Sequence, residues 1–155
     1  MQIPKPWLRN AGVALGAGAV LALAWWAYDW WHAGTRRATA SIVPYNHTHT
    51  TVDNFYVDGT WGGISDAKTG GGRSLCCVMI PERWHDRLQV TVKWQLETDP
   101  DSNWHEKRVD VPRYNEPGEL QVHFYGGDTV KVVVTNWDLR SPNNPLHDEW
   151  TKEKD

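Results

Sequence analysis

Two adjacent cysteines, Cys76 and Cys77, are the residues of this chain best suited to chemistry. A thiol pair can supply a nucleophile, part of a zinc site or a disulfide. There is no C-x-x-C spacing and no second cysteine pair, which excludes a four-thiolate zinc site. Neighbouring residues of a strand point to opposite faces, so one sulfur is expected in the core and the other on the far surface. The leading expectation is two structural thiols; the alternative is a vicinal disulfide, which an oxidising compartment permits. A catalytic thiol needs a base, and nothing in the spacing sets His85 or His105 beside either sulfur.

Histidines are the second candidates. His47 and His49 lie two apart, on one side of an extended chain, and would need His85 or His123 to hold a metal. No third ligand stands at a diagnostic spacing, so a polar loop without metal is expected. Ser65 and Ser74 lie near glycines but form no G-x-S-x-G elbow, and the chain is read as non-enzymatic and free of cofactors. Tryptophans in loops remain. Trp61 and Trp104 sit beside turns, where tryptophan serves as an interface anchor or a stacking platform for a sugar. With Gly70, Gly71, Gly72 and Arg73 they make the expected partner-binding set.

Strands must position these residues. Residues 75–80 form an apolar run that Pro81 ends, the pattern of a strand covered on both faces and therefore central. Trp84 is close enough to fold over its end, and Trp84 and Trp94 are expected to plug the core. Residues 88–96, 120–125 and 130–134 alternate apolar and polar side chains with the period of two of half-buried strands. Residues 104–111 and 55–57 add shorter strands, and residues 41–45 an edge strand weakened by Pro44. Residues 62–74 read as a mobile glycine-rich loop. Turn clusters of Gly, Pro, Asp and Asn between these runs point to an all-β, antiparallel, immunoglobulin-like sandwich.

The first 37 residues are different. Residues 11–31 carry one charge, Asp29, and at about 1.5 Å per residue they make roughly 30 Å of helix, enough to cross a bilayer core. Trp25, Trp26, Tyr28, Trp30 and Trp31 crowd its end, where aromatic rings prefer the membrane interface. Ala38-Thr39-Ala40 lies too far beyond the apolar stretch for ordinary signal cleavage. The expected organisation is a cytoplasmic tail (1–10), a transmembrane signal anchor (11–33), a linker (34–40), the sandwich (41–138) and a polar tail (139–155), poorly ordered from Ser141 onward. Lys5 and Arg9 nearly balance Arg36 and Arg37 across the span, and a periplasmic domain on an inner-membrane anchor is expected. Gly12 and Gly16 form a G-x-x-x-G face suited to a helix dimer. After residue 37 the chain holds twelve basic against eighteen acidic residues, which argues against a nucleic-acid partner.

One ordered series of residues resembles a family. Phe55-Tyr-Val-Asp-Gly, Trp61-Gly-Gly, the Gly70–Gly72 run, Cys76-Cys77, Pro81-x-x-Trp84, Val90-Thr-Val-Lys-Trp94, Val111-Pro112-x-Tyr114 and Val122-His123-Phe124 are similar to the bacterial domain of unknown function 3304 family. The vicinal cysteines with Pro81 and Trp84 are its most specific signature. The resemblance implies a small exported protein of Gram-negative bacteria without known enzyme activity. It further implies a gene neighbourhood beside lipase effectors of the type VI secretion system, and hence an immunity protein that binds such a lipase. A glycan-binding envelope module is the alternative expectation.

Overall fold

The structure, a computed structural model, describes residues 7–33, 35–100 and 103–152; the side chains of residues 7–17, 31, 33 and 150–152 lie outside the described set. The chain divides into two compact units, Met1–Arg36 and Arg37–Asp155. In the first, α1 (Trp7–Ala33) is rich in alanine and leucine, strong helix formers. Trp25, Trp26, Tyr28 and Trp30 are exposed, and at about 100° per residue they point around most of the helix. Asp29 forms an ion pair with Arg36 at 3.1 Å. No helix of the described residues is long and apolar enough to cross a membrane. The start of the expected span 11–33, and with it Gly12 and Gly16, lies outside the described side chains.

The second unit is a sandwich of two four-stranded sheets. Its strands are β1 (Arg37–Asn46), β2 (Val52–Val57), β3 (Thr60–Ser65), β4 (Leu75–Pro81), β5 (Gln89–Leu96), β6 (His105–Asp110), β7 (Glu119–Tyr125) and β8 (Thr129–Thr135). One sheet runs β4-β1-β7-β8 and the other β3-β2-β5-β6. The first is mixed rather than antiparallel, because β1 pairs with β7 in parallel. Inward residues of both sheets form one core, with Phe55 meeting Phe124 edge to face at 5.2 Å.

Four expectations need correction. First, β1 begins at Arg37, so the expected linker 34–40 is largely strand, and β1 is central rather than an edge. Pro44 is tolerated there because its carbonyl, and hence the N–H it lacks, faces the glycine segment rather than β7. Gly71 donates to that carbonyl at 3.2 Å, and no ladder bond is lost. Second, β4 is an edge strand, not a doubly covered central one; Val78 and Ile80 are buried while Met79 is exposed. Third, the glycine loop is not free. Its first residues are strand β3, with the Phe55 ring lying where a Cβ on Gly62 would stand. Its later part is tied to β1: Asn46 donates to Thr69 O at 2.7 Å and Lys68 to Thr48 O at 3.0 Å.

Fourth, the tail from residue 139 is not disordered over its described length. Leu139 and Leu146 are buried against Val43, Tyr45 and Val133 on the outer face of the β1 sheet, and α2 (His147–Lys152) follows. Polar tail residues are matched: Asn144 Nδ2 donates to Gln121 Oε1 at 2.9 Å and to Trp137 O at 2.8 Å. Glu149 accepts from Tyr125 Oη and Lys131 Nζ, both at 2.6 Å. Replacing Leu139 by alanine is therefore expected to cost about 2–5 kcal/mol of unfolding free energy in urea titration. A disordered tail would register almost no change.

Candidate functional site

The cysteines sit where β4 breaks register. Ala40 pairs with Val78 and Ile42 with Leu75, so Cys76 and Cys77 together oppose Ser41 in a β-bulge. They are joined by a disulfide, and no free cysteine remains. This overturns the leading expectation of two structural thiols. The rule of opposite faces fails because a bulge sets two residues against one; Cys76 is exposed and Cys77 half-buried. The rest of the signature is structural. Pro81 O accepts from Tyr114 Oη at 2.6 Å, and half-buried Trp84 donates to Val111 O at 2.8 Å. Trp94 is buried, as expected of a plug.

Of the histidines, only His47 and His123 come together, Nε2 to Nδ1 at 3.1 Å, between the rings of Tyr45 and Tyr125. His49 is exposed, and His85 Nδ1 lies 3.0 Å from Asp86 O. Burial, helped by the nearby His47 and Lys131, pushes His123 down to about 3, so its ring is neutral at pH 7. Among the described residues no cluster of three His, Cys, Asp or Glu side chains is arranged for a metal. Ser65 is buried and Ser74 exposed, with no histidine bonded to either. Asn46, the asparagine of an N-x-T pattern, is buried with its amide donating to Thr50 O and Ser65 O at 2.9 Å.

The expected partner-binding residues fall into two places. Gly70, Gly72 and Arg73 line a groove of about 200 Å³ with Pro44, Ile64 and Asp66. The glycines are required there, since a Cβ on Gly70 would strike the ring of Tyr45, and Gly71 has φ 72° against its hydroxyl. Ile64 is exposed on β3, as is Trp61, whose Nε1 donates to Asn54 at 3.3 Å. Arg73 has no hydrogen-bond or ion-pair partner among the described residues.

Trp104 lies elsewhere on the same sheet, 5.8 Å from the Tyr56 ring. It is placed by its neighbour His105, which stacks on Trp94 and is held at 3.0 Å by Asp99 on one side and Asp128 on the other. The Leu96 N–H, and then His105, hold the Asp99 carboxyl below its ordinary range. Sequence reasoning passed over Tyr56, Ile64 and this clamp. The outward parity of Tyr56 beside Trp61 was the available signal.

The family model described as a protein of unknown function, DUF3304, matches residues 45–132. The chain belongs to this family. No curated protein and no solved structure matches it. The DUF3304 match takes in the disulfide, the glycine segment, Trp61 and Trp104.

Two measurements check this geometry. Protein alkylated in denaturant without reductant should show no reactive thiol, and after dithiothreitol it should show both; two thiols at the outset would contradict the disulfide. The second concerns pH. A histidine lowered from 6.5 to about 3 leaves the folded state uncharged while the unfolded chain takes up a proton. Stability is then complete above pH 6.5 and falls as pH drops toward 3, by an amount on the order of several kcal/mol. His123→Gln should flatten that slope in denaturant titrations; an unchanged slope would place the titration elsewhere.

Proposed function

We propose that this chain is a membrane-anchored periplasmic binding protein, an immunity protein that neutralises a type VI secretion lipase by direct contact. The observation carrying this reading is the groove beside β3. It puts the exposed apolar side chain Ile64 next to Arg73, a cation without a hydrogen-bond or ion-pair partner among the described residues, on a backbone that hydrogen bonds to β1; Trp61 is exposed on the same strand. Tryptophan and arginine dominate binding energy at protein interfaces, and a pre-ordered surface loses little entropy on docking. The groove is built for contact rather than turnover: it presents one cation and one carboxylate, Asp66, with no nucleophile–base pair.

Two further observations support the location. A disulfide persists in oxidising compartments such as the periplasm. Trp25, Trp26, Tyr28 and Trp30 are exposed over more than half of the circumference of α1, aromatic surface that a membrane interface would cover, and residues 11–33 have the length of a span in the sequence. The immunoglobulin-like reading of the sandwich belongs to the same proposal, supported by two sheets facing one apolar core.

The test uses the full chain and the lipase encoded beside it. The pair should co-purify, and a strain lacking this protein should be killed by that lipase while its parent survives. Trp61→Ala should weaken the complex by about 2 kcal/mol or more, and Arg73→Ala by a comparable amount. Both side chains are exposed, so the melting temperature should move little. Survival of the deletion strain, with no association between the purified proteins, would refute the immunity reading.

A further inference from the structure

A second cleft opens on the outer face of the β3-β2-β5-β6 sheet, with a volume of about 470 Å³. Tyr56, Gly59, Thr91, Lys93, Trp104 and Glu106 line it. We propose that this cleft binds a saccharide, a pyranose face lying on Tyr56 and Trp104 and its hydroxyls held by Thr91, Lys93 and Glu106. Three observations carry the assignment.

The first is the arrangement of the rings. Tyr56 and Trp104 form a tilted pair, with planes at 57° and centroids 5.8 Å apart, an aromatic platform lining the cleft rather than a parallel stack. A pyranose has an apolar C–H face that suits such a platform and a hydroxyl edge that needs polar partners.

The second is the state of the charged pair. Lys93 and Glu106 stand directly opposite each other in register on β5 and β6. Opposite charges so placed normally stabilise one another. Here they do not pair: Lys93 Nζ sits 5.0 Å from the centre of the Trp104 ring, and Glu106 has no partner among the described residues. The ammonium, in cation–π contact over the Trp104 ring, and the carboxylate beside it supply donors and acceptors for vicinal hydroxyls.

The third is rigidity. Asp58, in the β2–β3 turn, accepts the Thr91 N–H at 2.8 Å and donates its own N–H to Thr91 O at 2.9 Å. On the other side the Asp99–His105–Asp128 clamp fixes the residue next to Trp104. Gly59 leaves the mouth open, with nothing within 4 Å of where its Cβ would be. The volume falls within the range of small-molecule sites.

Other ligand classes fit less well. A purely apolar ligand would desolvate Lys93 and Glu106 without compensation. A polyanion would meet Glu106 and the acidic balance of the chain beyond residue 37. Trp61 and Arg73 do not line this cleft, so the inference is independent of the lipase reading.

The experiment is calorimetric titration of the full chain in lipid nanodiscs, which avoids glycoside detergents. The probes are the tetramer of β-1,4-linked N-acetylglucosamine, cellotetraose and maltotetraose. Saturable binding of at least one is expected. Trp104→Ala should weaken it tenfold or more and Glu106→Gln about fivefold, while Trp137→Ala, an exposed tryptophan outside the cleft, leaves it unchanged. Glu106→Gln is exposed and should keep the wild-type melting temperature, so it decides the matter if Trp104→Ala fails to fold. Absence of saturable binding by all three probes would overturn the proposal. So would binding insensitive to both cleft variants, or cleft variants that weaken only a protein complex.

Discussion

Burial of Tyr45 is the constraint on which the architecture of the sandwich turns. It lies on the outer face of β1, a side of a sheet that normally meets water, yet it is almost inaccessible. Its ring stacks on His123 at 4.6 Å, Gly70 and Gly71 wrap its edge, and Leu139 and Leu146 of the tail share its buried cluster. Three distant segments therefore converge on one side chain. The glycines are needed because nothing larger could approach so closely, and the tail is ordered because it completes the cover. The neutral His123 follows from the same enclosure, which excludes the water that a charged imidazole would need.

That cover makes the two sheets unequal. The outer face of the β1 sheet is occupied by the protein's own tail, through Leu139, Asn144, Leu146 and α2. The outer face of the β2 sheet has no such layer over Trp61, which stays half exposed. The cleft at Trp104 lies on that open face, held by the His105 clamp, whereas the groove beside β3 opens where β3 and the glycine segment meet Pro44 of β1.

Legibility in the sequence followed the same division. β5, β7 and β8 are legible because one apolar residue in two is a direct imprint of a strand; β5 is half-buried as that implies, whereas β7 is buried on both faces, Gln121 and His123 included. β1 was misplaced at an edge because Pro44 normally marks one, and only the tertiary position of Gly71 explains its tolerance. β3 was hidden because Gly62 and Gly63 resemble a loop until the Phe55 ring is known to need the space. The tail was missed for a related reason. Asn144 and Gln121 satisfy each other, so a buried segment carries the composition of a solvated one. At the candidate site, Trp61, Gly70, Gly72 and Arg73 were legible by type, whereas their separation from Trp104 depends on strand order.

The cysteines show how a local irregularity can bear on a question of topology. Lys5 and Arg9 on one flank of residues 11–33 and Arg36 and Arg37 on the other nearly tie in the charge count that would orient the proposed membrane span. The described geometry weakens one flank: Arg36 is paired with Asp29, and Arg37 donates to Met79 O in the sheet. The bulge adds an independent argument. Two disulfide-linked cysteines opposite one residue at a sheet edge, Cys76 exposed and Cys77 half-buried, would persist in a compartment where thiols are not kept reduced. Edge strands also expose unpaired backbone groups, and a bulge is one of the devices that discourage pairing with another chain there. The disulfide therefore sits at the bulge of an edge strand, a position compatible both with the export proposal and with a protected edge.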